Sequence, residues 1–277
     1  MKNESAYTKK FAALLKKVKE AHQPAALSEY DPAEHLVVAF LQWNSSRKLA
    51  EAAFTKLMAP MVDKNDLRVS HPHEIVALIG EDYPRADERA ARLHESLQEV
   101  YNREHGVSLD AVLSQGKKQA RTYLDSLPGM VSYVSSRVML LAFNAHAMPV
   151  DDLLRDKLVS EEVVEPDATA EEIAAFIERQ VKSGEGLAAH LALDEWSTVG
   201  GVRKTTSAPH MLPPAKPAAA KVDAASAKAA STKADTAKSE SKTSKKTTKK
   251  TSAAAIKKTA AKTTKKTTKK TTKKTAG

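Results

Sequence analysis

The chain has 277 residues, and its net charge of +10 divides unevenly: Thr205–Gly277 holds 19 lysines, no arginine and three acids, a net of +16, which leaves −6 on residues 1–204. There is no cysteine, which excludes disulfides, thiolate zinc sites and cysteine-held iron–sulfur clusters. The longest apolar run, LVVAFL at 36–41, falls far short of the roughly 20 residues a membrane span needs, and MKNESAYTKKF lacks a signal-peptide core; the expectation is a soluble intracellular protein, cytoplasmic (nucleoid-associated) or nuclear, with no membrane partner.

Residues 1–204 read as consecutive helices. Phe11, Leu14, Leu15 and Val18 recur at helical spacing. Asp31-Pro32-Ala33-Glu34 places an acid at N-cap, proline at N1 and glutamate at N3, a strong helix start. The EHLVVAFLQW that follows is apolar nearly all round, so this helix is expected to be central and buried. Leu49, Ala53, Phe54 and Leu57 mark an inward stripe over 46–58. HEIVALIG ends on Gly80 as a C-cap. The segment from Arg85 turns Ala90, Leu93, Leu97, Val100 and Tyr101 inward and stops at Gly106. Two helices then flank SLPGMVSYV at 126–134, and a last pair over about 169–195 opens with the capping box Thr169-Ala-Glu-Glu172. No run has the alternation of a strand. The fold class is all-α, with a helical domain at 1–204.

From Thr205 onward the composition collapses to Lys, Ala, Thr, Ser and Pro, ending in KKTT repeats. Such a segment buries too little apolar surface to offset its ordering entropy, so 205–277 is expected to be a disordered basic tail. Lys245, Lys246, Lys249, Lys250, Lys265, Lys266, Lys269 and Lys270 are candidate contacts to a phosphate backbone. DNA is expected ahead of RNA. With neither arginine nor aromatics, the tail offers no base readout. Its composition resembles the C-terminal tails of linker histones and bacterial histone-like proteins.

Residues 124–158, LDSLPGMVSYVSSRVMLLAFNAHAMPVDDLLRDKL, resemble the signature segment of the helix-hairpin-helix DNA glycosylase superfamily, the endonuclease III and adenine glycosylase group. Leu127-Pro128-Gly129 matches the start of that family's hairpin, and Val150-Asp151 arrives at the spacing of its catalytic aspartate. The resemblance implies a helical glycosylase fold over roughly residues 10–195, without an iron–sulfur cluster and with no other cofactor or metal. The pair His71 and His73 lacks a third ligand.

By this resemblance Gly129, Met130, Val131 and Ser132 form the phosphate-gripping hairpin, at the N-terminus of a helix. Val131 stands where the family often has a second glycine, and a β-branched residue resists φ > 0 there; Ser132 offers compensation as N-cap of the next helix. Tyr133 falls where bifunctional members carry a lysine that forms a Schiff base. A tyrosine forms no imine, so lyase chemistry of that kind is not expected. Asp151 would stabilise oxocarbenium-like charge and activate water; the alternative is that it caps the helix LLRDKL. Gln42 and Asn44 fall where the family inserts polar wedge residues, with Trp43 as core and Asn44 as a helix cap being the alternative. Lys117 and Lys118, beside Arg121, mark a local basic face on an acidic body. Two functions stay open: a monofunctional glycosylase with a DNA-holding tail, or a non-enzymatic nucleoid-associated protein on a degenerate glycosylase fold.

Overall fold

Helix starts and stops in this chain follow local chemistry. The computed structural model describes residues 4–22 and 27–199; the tail, with Lys245 through Lys270, lies outside the described residues. Asp31 caps α2 (Pro32–Gln42) and completes the capping box with Glu34, and Thr169 does the same with Glu172 for α11 (Ala170–Gln180). Gly80, at φ 104°, closes α5 (Pro72–Ile79). Between them run α3 (Arg47–Met58) and α4 (Lys64–Val69); then follow α6 (Ala86–Glu104), α7 (Asp110–Ser114), α8 (Lys117–Asp125), α9 (Ser132–Leu141) and α10 (Asp152–Ser160). The described chain begins with α1 (Glu4–Ala21) and ends with α12 (Gly186–Thr198). No strand occurs among the described residues, and no helix there is long and apolar enough to cross a membrane.

Two apolar cores form. The first gathers buried side chains from Ala33 to Ala147, covering α2 through α9. The second joins Phe11 and Val18 of α1 to residues from Met148 to Leu193 on α10–α12. The chain thus starts in one core, builds the other, and returns. The cores meet where α9 packs on α12 and Gln42 of α2 reaches Asp194 of α12. As its all-round apolarity predicts, α2 is the hub, with eight of its eleven residues buried.

Three expectations need correction. Tyr101 is 36% exposed and Leu49 40% exposed. Each sits at the edge of an apolar stripe that is wider than the surface it covers, and the Arg68 guanidinium stacks over the Tyr101 ring at 4.0 Å. Helix α6 ends one residue before the expected stop: His105, not Gly106, takes the left-handed cap at φ 57°.

Arg89 ties α6 to the end of α2. Its side chain is fully buried, and it donates to the carbonyls of Phe40, Trp43 and Pro84. The last carbonyls of α2 have no partner within the helix, and the guanidinium fork satisfies them together. Burial holds the guanidinium down to about 10. Arg89→Met would leave these carbonyls unpaired, and the expected loss in urea unfolding is about 3 kcal/mol.

Candidate functional site

The hairpin between α8 and α9 is held from behind by α6. Gly129 sits at φ +74°, and a Cβ there would lie 2.7 Å from the Arg92 carbonyl oxygen. Ser96 Oγ donates to the Pro128 carbonyl at 2.7 Å, Arg92 Nη1 to the Gly129 carbonyl at 3.2 Å and Arg103 Nη1 to Ser126 Oγ at 2.7 Å. These contacts draw the turn's carbonyls inward.

Val131 is the N-cap of α9, in an extended conformation at φ −116° and ψ 146°. No positive φ is required there, so the valine is unstrained. Ser132 is the first helical residue and not the cap expected of it; the N-terminus of α9 has no side-chain cap. Its first N–H groups therefore carry no internal acceptor from a capping side chain. Met130 is half-buried against the first core. On α8, Lys117 donates to the Asn144 carbonyl and Arg121 pairs with Asp125 at 2.8 Å, while Lys118 is exposed.

Asp151 lies at the seam between the cores, 7% exposed, as N-cap of α10. Oδ1 accepts from Leu154 N at 2.9 Å and Oδ2 from Asn44 N at 3.0 Å. Asn44 has left-handed backbone at φ 54°, which aims its N–H at the carboxylate. Its side chain exchanges two hydrogen bonds of 3.0 Å with Asp152, one to the carboxylate and one from the backbone N–H. Arg85, also left-handed at φ 52°, donates to the same Asp152 carboxylate at 2.9 Å and lies 4.9 Å from the Trp43 ring centre. Asn44 is therefore not the cap of α3, a role taken by Ser46. Burial pushes the Asp151 carboxyl up to about 7 against the pull of its two N–H donors, and the negative charge of Asp194 adds to the rise.

A second carboxylate stands nearby. Asp194 of α12, 8% exposed, accepts from Gln42 Nε2 at 2.8 Å. Burial raises it to about 6 despite the positive field of Arg137. Gln42 is fully buried, with its amide turned to Asp194 and away from solvent; Trp43 is in the core at 6% exposure. Tyr133 is 4% exposed with its hydroxyl unpartnered, and burial together with the charges of Asp194 and Asp151 raises the phenol well above its ordinary value. Thus Asp151, Tyr133 and Gln42 share one polar seam, Asn44 borders it, and Gly129–Ser132 open the helix that carries Tyr133. No group of residues able to hold a metal ion occurs among the described residues.

Sequence reasoning did not single out Asp194, Arg137 or His190. The signal was present: Arg137 interrupts the apolar VSSRVMLLAF, and His190 and Asp194 lie four apart in the largely apolar GLAAHLALDEW. Charged residues on a buried face call for a partner or a function.

The helical fold that carries this hairpin and aspartate is similar to that of solved DNA glycosylase structures. The chain is similar to an endonuclease III trapped as a covalent DNA intermediate, with TM-score 0.54, 15% identity, and coverage of 67% of this chain and 84% of that one. It is similar to a thermostable thymine-DNA glycosylase, with TM-score 0.51, 21% identity, and coverage of 70% and 88%. A third is the Clostridium acetobutylicum 8-oxoguanine glycosylase/lyase in complex with double-stranded DNA, with TM-score 0.52, 18% identity, and coverage of 70% and 69%.

The chain has the helix-hairpin-helix DNA glycosylase fold.

No protein-family model matches the chain, and no curated protein matches it by sequence. Within the helix-hairpin-helix fold, the α8–α9 hairpin and the α10 aspartate are the elements the sequence resemblance singled out, and the α2–α3 loop reaches that aspartate through Asn44.

Proposed function

We propose that this chain is a DNA-binding protein of the base-excision type that hydrolyses an N-glycosidic bond without cutting the strand. The observation that carries the reading is Asp151: a carboxylate buried at a helix head, held by two backbone N–H groups and placed between the two cores. Burying a charge there costs stability, and such costs concentrate at functional sites. The uncapped N-terminus of α9 would receive a backbone phosphate, and the lysines of 205–277 would hold the duplex nonspecifically through counterion release.

The chemistry follows from the groups present. As the bond from the base to C1′ lengthens, positive charge develops on the sugar, and the ionised Asp151 stabilises it. A water adds its oxygen to C1′ and loses a proton to the carboxylate; the base leaves with the bonding electron pair and takes a proton from solvent, to which Asp151 then returns its own. Tyr133 cannot form an imine, so the product is an intact strand with an abasic sugar.

The test is base release from duplexes carrying uracil, mismatches, oxidised or alkylated bases, with strand breaks appearing only after hot alkali. Strand cleavage without alkali would sink the monofunctional reading. Because the ionised carboxylate is the working form, release should rise with pH through about 7, following the raised Asp151; a rate flat between pH 5 and 9 would argue against Asp151. The second reading, a DNA-binding protein without chemistry, is favoured by the closed seam, in which Gln42, Asn44 and Asp151 are all buried. It predicts salt-dependent binding and no release from any duplex.

A further inference from the structure

Asn44 is bound to both aspartates at the head of α10. Its backbone N–H donates to Asp151 Oδ2 at 3.0 Å, while its side chain donates to the Asp152 carboxylate and accepts from the Asp152 N–H, each at 3.0 Å. The N–H faces Asp151 because residue 44 holds φ 54°, a left-handed conformation that asparagine adopts more readily than most side chains. The peptide groups on either side are committed elsewhere. The Trp43 carbonyl accepts from Arg89 Nη2 at 2.6 Å, and the Ser45 N–H donates to the Gln42 carbonyl at 2.8 Å. The exchange with Asp152 therefore clamps residue 44 in its turn. Asp152 is steadied in its own place by Arg85 at 2.9 Å, whose guanidinium lies over the Trp43 ring.

We infer that Asn44 is a positioning residue for base release: clamped by Asp152, it holds its N–H on Asp151 and so fixes the carboxylate and favours its ionised form. The inference rests on the reading that Asp151 acts on the sugar. It departs from the wedge role expected of this position. A wedge needs a side chain free to enter the duplex, whereas Asn44 is 3% exposed with both polar ends of its side chain taken.

The surroundings of Asp151 show why one N–H matters. Burial opposes ionisation, and so do the charges of Asp194 on α12 and Asp152 on α10. Tyr133 of α9 faces the same seam with its hydroxyl unpartnered, under the positive fields of Arg137 and Arg89. Arg85, at the head of α6, is divided between Asp152 and Glu88. Against these stand two backbone donors, Leu154 N and Asn44 N, and hydrogen bonds to a carboxylate favour its charged form. Losing the Asn44 donor tips Asp151 toward the protonated form, which neither stabilises charge on the sugar nor accepts a proton from water.

The experiment follows base release by the full chain from pH 5 to 9 on duplexes carrying uracil, a mismatch, or an oxidised or alkylated base. Beside it runs the carbon-13 titration of the Asp151 carboxyl, identified by its loss in Asp151→Asn. Asn44→Gly accepts the left-handed backbone without strain and removes only the side-chain exchange. It should lower kcat about ten- to a hundredfold, the worth of one hydrogen bond to a charged group, and leave KM nearly unchanged. The rate midpoint and the carboxyl titration should both move to higher pH. Asn44→Asp sets two carboxylates face to face and should move the titration further. Adding Asp152→Asn to it returns a donor–acceptor pair with the roles exchanged and should recover most of the lost rate. A midpoint and titration unmoved in Asn44→Gly overturn the inference and leave base excision standing. So does a rise in KM, or a loss of duplex affinity, at an unmoved midpoint, which makes Asn44 a DNA contact. No release from any duplex by the unaltered chain overturns the proposed function, and the role of Asn44 in it, whatever the titration shows.

Discussion

Asp151→Asn is expected to lower base release by at least about a thousandfold, the scale on which loss of one preorganised charge acts on a transition state, while DNA binding by the full chain stays within about twofold. The variant also carries a stability signature that tests the environment of the site. An aspartate has an ordinary value near 3.8, and burial brings the folded value to about 7. A carboxyl raised on folding leaves the native state holding a proton that the unfolded chain has already released. Its penalty is absent below about pH 4, grows as pH rises, and is complete above about 7. Asparagine removes that penalty and adds a pH-independent cost, since its amide offers one acceptor where Leu154 N and Asn44 N need two. The stability difference between variant and wild type should therefore move in the variant's favour from pH 4 to pH 8, by on the order of 3–4 kcal/mol. Urea unfolding at the two pH values measures it. A difference independent of pH would mean that Asp151 is ionised without strain and that its site is wetter than described.

Gly129→Ala is expected to destabilise the chain by about 3–4 kcal/mol. Two independent causes add. The φ of +74° lies in the left-handed region, which costs an alanine about 1 kcal/mol. The new Cβ would also lie 2.7 Å from the Arg92 carbonyl oxygen and 2.9 Å from its Cα, and backbone in the middle of α6 cannot move aside cheaply. Relief requires lifting the hairpin off α6, which breaks the bonds from Ser96 and Arg92 to the turn carbonyls. Thermal unfolding should show a loss of roughly ten degrees. Val131→Gly, by contrast, should gain nothing: the valine already sits in extended backbone, and glycine would add unfolded-state entropy. A loss below about 1 kcal/mol for Gly129→Ala would show that the hairpin is not seated on α6.

How much of this was legible depends on the range of the interaction. The caps at Asp31 and Thr169, the stop at Gly80 and the Leu-Pro-Gly turn all work within four residues, so their chemistry is written next to where it acts. Asp151 could be placed by motif spacing; the structure makes it the cap of α10, one of its two readings, and buries it in the seam. Tyr101 and Leu49 were misjudged because periodicity reports the direction of a stripe and not its width.

By itself the sequence determined the all-α class, most helix limits, the hairpin and the division of charge between body and tail, because each follows from composition or from neighbours along the chain. Only the tertiary structure decided the rest. Gln42 meets Asp194 across 152 residues, and Asn44 meets Asp151 across 107. The charge of buried Arg137 acts on His35, Tyr133, His190 and Asp194 from other turns and helices, and Arg89 closes a helix 46 residues away at Trp43. The physical reason is the same in each case. A buried polar group is defined by the partners that replace water, and those partners are chosen by how two cores pack, which no local pattern records.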